Sequence, residues 1–305
     1  MENKSVLVIG IGAVGSAFLA NSKGLFKRIG IFDGDIISKS NLVNQPFYSD
    51  CDFSVPSSKV SFAVKKMNAR DNATEYKGYE RYFTESDFNV MKDYDLILDF
   101  TDNLRSRLII NSGCVRIGKP AVFASLNDKE SVLYFYGGGA CFNCIYRNSI
   151  GHIREGCESV ISAPEKEFLD FLVQSILDFS SGKIKGNDLM VFNLESKKLL
   201  ESSIKKDMEC EVCVKNVKGS IQGGFLQICS SGIKFSSGKK VNLDLLGKKI
   251  PGSVIAGEYL LSNTGKKSIL VSSEGDFLFT GYTKKEAEKL LHSFVPYYSQ
   301  KKEKT

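Results

Sequence analysis

Two short apolar runs open the chain, residues 6–9 and 29–32. Between them residues 16–20 are small and apolar, as at the start of a helix packed on a strand. Ser57 and Ser58 then precede SKVSFAVKKMNA, whose apolar residues fall on one face with Lys65 and Lys66 on the other, predicting a capped amphipathic helix. A polar strand near 74–79 and a short helix near 85–91 lead to DLILDF, residues 95–100, which reads as a buried strand ending in TDN. Residues 103–117 predict a helix with Leu104, Leu108, Ile109 and Val115 inward, and Arg105, Arg107 and Arg116 outward or functional. PAVFAS and SVLYFY are two more strands, 146–163 a long exposed loop, and 165–179 a helix. Strands near 189–194 and 197–204 complete the first part. Alternation of β and α argues for a mostly parallel, doubly wound sheet. Beyond Cys213 short strands (FLQI, YLLS, SILVS, DFLFTG) sit between Gly- and Ser-rich turns and end in a helix at 284–294. The expected organisation is a first domain over 1–215, a boundary near 215–222, a small α/β domain over 220–297 and a Lys-rich tail at 298–305.

The junction of the first strand and helix carries candidate chemistry. Gly10, Gly12 and Gly15 are spaced G-x-G-x-x-G, and Asp33 ends the second run. This is the pattern of a Rossmann-like βαβ nucleotide site: a tight turn, an open backbone approach for phosphate, and close helix packing. The helix N-terminus offers N–H groups to an anion, and the acid can take ribose hydroxyls. Asp102 and Asn103 follow a buried strand, where open α/β sheets bind ligands. Asp102 there could hold Mg²⁺ against nucleotide phosphates or simply cap the next helix. Arg107 and Asn111 share the face of Asn103 and could reach the same crevice. Lys59 stands in the first turn of its helix, poorly placed for a cation unless an anion is bound nearby.

Composition narrows the classes. Charged residues make up 25% and the net charge is +6, part of it from the final KKEKT, which gives no basic–aromatic stripe and so no nucleic-acid surface. No apolar stretch could span a bilayer, and the chain starts almost at its first strand, so no leader peptide, no membrane association and a cytoplasmic location are expected. Of 8 cysteines, four form two C-x-x-C pairs, Cys141/Cys144 and Cys210/Cys213. Two such turns supply four thiolates for a closed, structural Zn²⁺ site, a reading preferred over two unrelated buried pairs.

Taken in order, GIGAVG, D-x-D with SNLVNQ, SKVSFAVKKMNA, DFTDNLRSRLIIN, CFNC and CEVC resemble the ubiquitin-activating-enzyme-like superfamily, in particular its ThiF/MoeB-type sulfur carrier protein adenylyltransferases. The resemblance covers about residues 5–214, and the part beyond is similar to a small extension found on some members. It implies ATP as substrate, held by the glycine loop, Asp33, Ser40, Asn41, Gln45 and Arg107. Lys59 would neutralise the triphosphate, Asp102 would bind Mg²⁺ with Asn103 beside it, and Cys157 would capture the activated carrier. Implied partners are a small ubiquitin-like or sulfur carrier protein ending in Gly-Gly and a second copy of the chain in a homodimer.

Two departures stand out. Asn44 occupies a position where the family usually has a phosphate-clamping arginine, and no N-terminal helical segment bearing a further arginine precedes the first strand. They raise an alternative, a degenerate non-catalytic subunit that binds a carrier or an active relative. A nicotinamide-dependent oxidoreductase would account for the glycine loop and Asp33 but for neither SNLVNQ, TDN nor the cysteine pairs.

Overall fold

The computed structural model describes residues 2–51, 53–54, 56–127, 130–146, 163–215, 226–228, 232–237, 240–256, 259–265, 267–273 and 275–294. The chain packs as two compact units, the main part of the second beginning at Ile221. In the first unit the elements run β1 (Glu2–Ile9), α1 (Ala13–Asn21), β2 (Phe26–Phe32), α2 (Lys59–Asn68), β3 (Glu75–Tyr79), α3 (Phe88–Met91), β4 (Leu96–Asp99) and α4 (Leu104–Ile117). They continue with β5 (Ala121–Leu126), β6 (Glu130–Tyr136), α5 (Phe142–Tyr146), α6 (Lys166–Ser180), β7 (Asp188–Asn193) and β8 (Leu199–Ser203).

One 8-stranded sheet, in the order β3-β2-β1-β4-β5-β6-β7-β8, organises this unit. The pairs from β3 through β5 are parallel, and β6, β7 and β8 join antiparallel. The reversal between β2-β1 and β4 places the ends of β1 and β4 side by side, Ile9 opposite Asp99. A crevice outside the carboxyl ends of the strands forms where connections leave in opposite directions.

Both faces of β1 are apolar because both are covered. Val6 and Val8 pack with Phe18 of α1, Val60 and Ala63 of α2 and Leu172 of α6. Leu7 and Ile9 pack with Met91 of α3, and with Ile110 and Cys114 of α4. A continuous apolar run is therefore what a central parallel strand requires. The buried stripe of α4 is Ile110, Asn111, Ser112, Gly113 and Cys114. Leu104, Leu108, Ile109 and Val115, expected to face inward, are only partly buried at its margin.

Local chemistry fixes the helix starts. Ser58 caps α2, its Oγ accepting from the N–H groups of Val60 and Ser61. Asp71, just beyond α2, accepts from Gly24 N–H at 2.8 Å, Ala73 N–H at 2.9 Å and the Tyr76 hydroxyl at 3.0 Å, tying that end to the loop before β2. Burial opposes its charge, but these hydrogen bonds outweigh it and bring the carboxyl down to about 2. An acid depressed on folding contributes stability that is complete above the ordinary carboxylate range and is lost as pH falls through its folded value. Asp71→Asn is accordingly expected to lower Tm at neutral pH, with the difference from the parent shrinking between about pH 4 and 2; a Tm gap independent of pH would contradict this.

The second unit contains a 6-stranded sheet in the order β11-β12-β13-β14-β10-β9. Its elements are β9 (Leu226–Ile228), β10 (Gly232–Ser236), α7 (Leu243–Gly247), β11 (Ser253–Ala256), β12 (Tyr259–Asn263), β13 (Ser268–Ser272), β14 (Asp276–Thr280) and α8 (Lys284–Phe294). All of its strand pairs are antiparallel, and Leu246, Leu260, Val271, Phe277, Phe279, Ala287 and Leu291 form its core. Of the expected elements, the last three residues of FLQI, YLLS, SILVS, DFLFTG over its first five residues and the final helix are present in this unit.

Candidate active site and cysteine centre

The glycine loop sits at the β1/β4 switch point and is shaped by backbone contact. Gly10 has φ +88°, and a Cβ there would lie 3.0 Å from the backbone of Phe100 and Thr101. A Cβ on Gly15 would overlap the Gly10 carbonyl oxygen, so α1 can start this close to β1 only with glycine. At Gly12 nothing lies within 4 Å of the same position, which leaves its backbone open to an incoming group. Gly10 and Gly15 thus meet the turn and packing demands expected from the spacing. Gly10 donates to Phe32 O at 2.8 Å and Ile11 to Asp33 Oδ2 at 2.9 Å, binding the loop to the end of β2.

The segment after β2 folds back over this loop. Asp33 Oδ1 accepts from Asp35 N–H at 2.7 Å. Ser40 and Asn41 lie in a single 3-10 turn, Lys39–Val43, where Asn41 Oδ1 accepts from Ser38 N–H at 2.9 Å and Ser40 Oγ pairs with Ser38 Oγ at 2.7 Å. Asn44 closes the turn, its N–H reaching Asn41 O. Gln45 is 7% exposed, and its Oε1 is buried with no hydrogen-bond partner. A buried amide oxygen without a donor costs about 1–3 kcal/mol unless something supplies one. Tyr48 locks the segment in place by donating to Ile11 O at 2.7 Å.

Lys59, the first residue of α2, is 4% exposed and forms an ion pair with Asp35 Oδ2 at 3.1 Å. Across the crevice, β4 ends in Asp99, a fully buried carboxylate that accepts from Thr101 N–H at 2.8 Å and its hydroxyl at 2.6 Å through Oδ1. Its Oδ2 has no partner, and burial, opposed by the Arg107 charge, raises its pKa. Asp102 is exposed, whereas Asn103 is the cap of α4, its Oδ1 accepting from Ser106 N–H at 2.8 Å. Of the two roles open to Asp102 in the sequence, the capping role thus belongs to its neighbour. Arg107 donates to Thr101 O at 2.5 Å and Ala124 O at 2.9 Å, bracing the TDN segment against β5.

Asn111 does not reach this crevice. It is fully buried, donates to Cys141 Sγ at 3.6 Å and accepts from Phe142 N–H at 2.9 Å, so it belongs to the cysteine centre. Cys141, Cys144, Cys210 and Cys213 bring their sulfurs within 4.8 Å of one another. Cys141 and Cys210 stand 3.7 Å apart and Cys144 and Cys213 3.5 Å, with no disulfide between them. Asn143 donates to Cys210 Sγ at 3.5 Å. Burial pushes the Cys141 thiol up against the pull of Asn111, and takes Cys213 up to about 11. For Cys210 burial is outweighed by N–H donors from Cys213 and Asn143, which bring it down to about 7. Four cysteines held at ligand spacing and supplied with amide donors could hold a zinc ion. Cys157, with its neighbours His152 and Arg154, lies outside the described residues.

The glycine-lined crevice at the switch point and the separate cluster of four cysteines, which could hold a metal ion, belong to a doubly wound α/β protein. The signature of the ThiF family matches residues 1–231, and the chain belongs to that family. Among curated proteins it is 36% identical over 151 residues to the adenylyltransferase and sulfurtransferase UBA4 of Kluyveromyces lactis, covering 48% of this chain and 34% of that one. It is 32% identical over 149 residues to the adenylyltransferase and sulfurtransferase MOCS3 of Dictyostelium discoideum, covering 47% and 34%. The chain thus spans about a third of the length of these relatives. Among solved structures, E. coli MccB with MccA-N7isoASN superposes with TM-score 0.55 at 18% identity over 69% of this chain and 67% of that one. PaaA gives 0.53 at 16%, over 67% and 65%. At these identities the structural likeness concerns the fold. No helix among the described residues is long and apolar enough to cross a membrane.

Proposed function

We propose that the first unit is an adenylation domain that activates the C-terminal carboxylate of a ubiquitin-like or sulfur carrier protein with ATP. The observation that carries this reading is Lys59: a nearly buried ammonium at a helix N-terminus, tied through Asp35 to the strand end bearing Asp33. A cation is poorly placed at that terminus, where Asp35 supplies one counter-charge, and a triphosphate brought to the same terminus would supply more. The open face of Gly12 fits the same anion, and the buried Gln45 Oε1 is an acceptor that a hydroxyl or amino group of the nucleotide would satisfy. The carrier carboxylate attacks the α-phosphorus, an acyl–phosphate bond forms and pyrophosphate leaves. A carboxylate is already nucleophilic, so the protein's work is alignment and charge neutralisation. The glycine loop, Ser40, Asn41 and Gln45 bind the nucleotide, Asp33 its ribose, and Lys59 the phosphates. Asp102 beside Asn103 would hold Mg²⁺, which supplies neutralisation of phosphate charge, while Arg107 keeps that segment in position. The four cysteines would hold a structural Zn²⁺. In this reading Cys157 takes the acyl group as a thioester with release of AMP, and the protein acts as a cytoplasmic homodimer.

The test is Mg²⁺-dependent ATP–pyrophosphate exchange with small carriers ending in Gly-Gly. Exchange that needs both carrier and Mg²⁺ supports the reading, and none with any carrier defeats it.

A second reading, a subunit that binds a carrier without activating it, is favoured by Asn44. An amide at the end of the 3-10 turn brings no charge where a guanidinium fork would clamp phosphate. Asn44→Arg is expected to raise exchange about tenfold, the value of one added charge-assisted hydrogen bond. Carrier binding with neither exchange nor saturable Mg²⁺–ATP binding, unchanged by that substitution, would favour the binding subunit; saturable Mg²⁺–ATP binding lost on Asp102→Ala would count against it.

A further inference from the structure

Lys59 is held from two sides. Its backbone N–H donates to Asp35 O at 3.0 Å, and its Nζ lies 3.1 Å from Asp35 Oδ2. Asp35 receives in turn the Tyr82 hydroxyl on Oδ1 at 2.7 Å. Tyr82 comes from the segment after β3, far from Asp35 in sequence, and its ring covers Gly34, where a Cβ would sit 2.7 Å from three ring atoms. Gly34 therefore leaves room for the ring, and the ring delivers its hydroxyl to the neighbouring carboxylate. Asp35 N–H also donates to Asp33 Oδ1, so the carboxylate is anchored to the same strand end as the glycine loop. One chain of contacts runs Tyr82–Asp35–Lys59.

We propose that Tyr82 and Asp35 are positioning residues that fix the Lys59 ammonium for the triphosphate, Tyr82 through its hydrogen bond to Asp35. A long lysine side chain carries several rotatable bonds, and an ammonium is a point charge without a fork of its own. What it contributes to a phosphoryl-group reaction depends on where it is held, since alignment is the larger part of that catalysis. A carboxylate alone could hold the ammonium in several geometries. Asp35, fixed by a hydroxyl on one oxygen and a backbone carbonyl–amide pair at its own peptide, offers its other oxygen in one direction. The hydroxyl bonds Oδ1 and the lysine Oδ2, so the two contacts fall on different oxygens of one carboxylate. This inference rests on the proposed adenylation, which supplies the anion that Lys59 serves.

The experiment has a kinetic arm and a chemical one, both on the full chain. In ATP–pyrophosphate exchange, Tyr82→Phe is expected to lower kcat about tenfold, the loss of one hydrogen bond to a charged group, with KM for ATP changed less than about twofold. In a Lys59→Ala background the same substitution is expected to change kcat less than about twofold, because the residue through which it acts is gone. Equal effects in both backgrounds would make Tyr82 a general structural residue and overturn the proposal. The chemical arm measures acetylation of Lys59 Nζ by acetic anhydride, read by mass spectrometry and normalised to an exposed lysine such as Lys92. Tyr82→Phe is expected to raise the relative rate several-fold as the ion pair loosens, with Tm within a few degrees of the parent. An unchanged rate would overturn the proposal. If the parent protein shows no exchange with any carrier, the adenylation reading fails, while the labelling rate still decides whether Tyr82 fixes the lysine.

Discussion

Cys141→Ser is expected to release the metal and lower Tm by roughly 8–16 °C, the shift that a loss of about 4 kcal/mol gives a domain of this size. Cys141 is completely buried beside Cys210, and the two lie 69 residues apart in sequence. One cysteine pair belongs to the turn into α5 and the other to the segment after β8, so a metal ion would clamp two distant stretches of chain. Three thiolates and an alcohol bind zinc poorly, and the buried sulfurs left behind have lost their counter-charge. Since such a site forms only in the folded chain, metal affinity is folding free energy. Metal analysis should find about one zinc per parent chain and a chelator should reproduce the mutant's melting. A parent protein that is folded, metal-free and unaffected by chelator would contradict the zinc assignment.

What the sequence revealed and what it hid follow from the range of the interactions. The glycine loop was legible because each role is local: the turn at Gly10, the open face at Gly12 and the close packing at Gly15 all act within one strand–turn–helix unit. The Ser58 cap and the β4 strand were legible for the same reason. Asn111 was misassigned because periodicity gives the face of a helix and not its depth. Two successive steps of four residues keep Asn111 on the face of Asn103 but carry it about 12 Å along the axis. That distance takes α4 from the crevice to the cysteine centre, so a single helix serves both. Asn143, between the paired cysteines, was a nearer clue, since an amide inside a C-x-x-C turn can reach a sulfur. Tyr82 and Asp99 carried no signal. Tyr82 acts across space from an irregular segment, and Asp99 is indistinguishable in sequence from any polar residue closing an apolar strand. In the second unit β10, β11 and α7 escaped notice because each is short and set among glycines and serines without a clear period.

The division of labour between Asp102 and Asn103 yields the sharpest functional prediction. Asp102→Ala is expected to lower carrier-dependent exchange roughly 10²–10³-fold, the usual scale for removing one electrostatic stabiliser of a developing charge. Its Tm should stay close to the parent's, because Asp102 is exposed and the cap of α4 is supplied by the side-chain Oδ1 of Asn103. Asn103→Ala should do the reverse in stability, costing about 1 kcal/mol for the lost cap and a few degrees of Tm. The contrast matters because α4 begins at this point and extends to Asn111, which is bonded to Cys141. A substitution that loosened the helix start could disturb the cysteine centre and imitate a catalytic loss. Measuring zinc content and Tm alongside exchange separates the two. Asp102→Ala with full zinc content, parental Tm and abolished exchange locates the defect in the chemistry. If exchange persists at parental rate and parental Mg²⁺ dependence, Asp102 does not hold the magnesium, and the carboxylate that does must be sought elsewhere in the crevice.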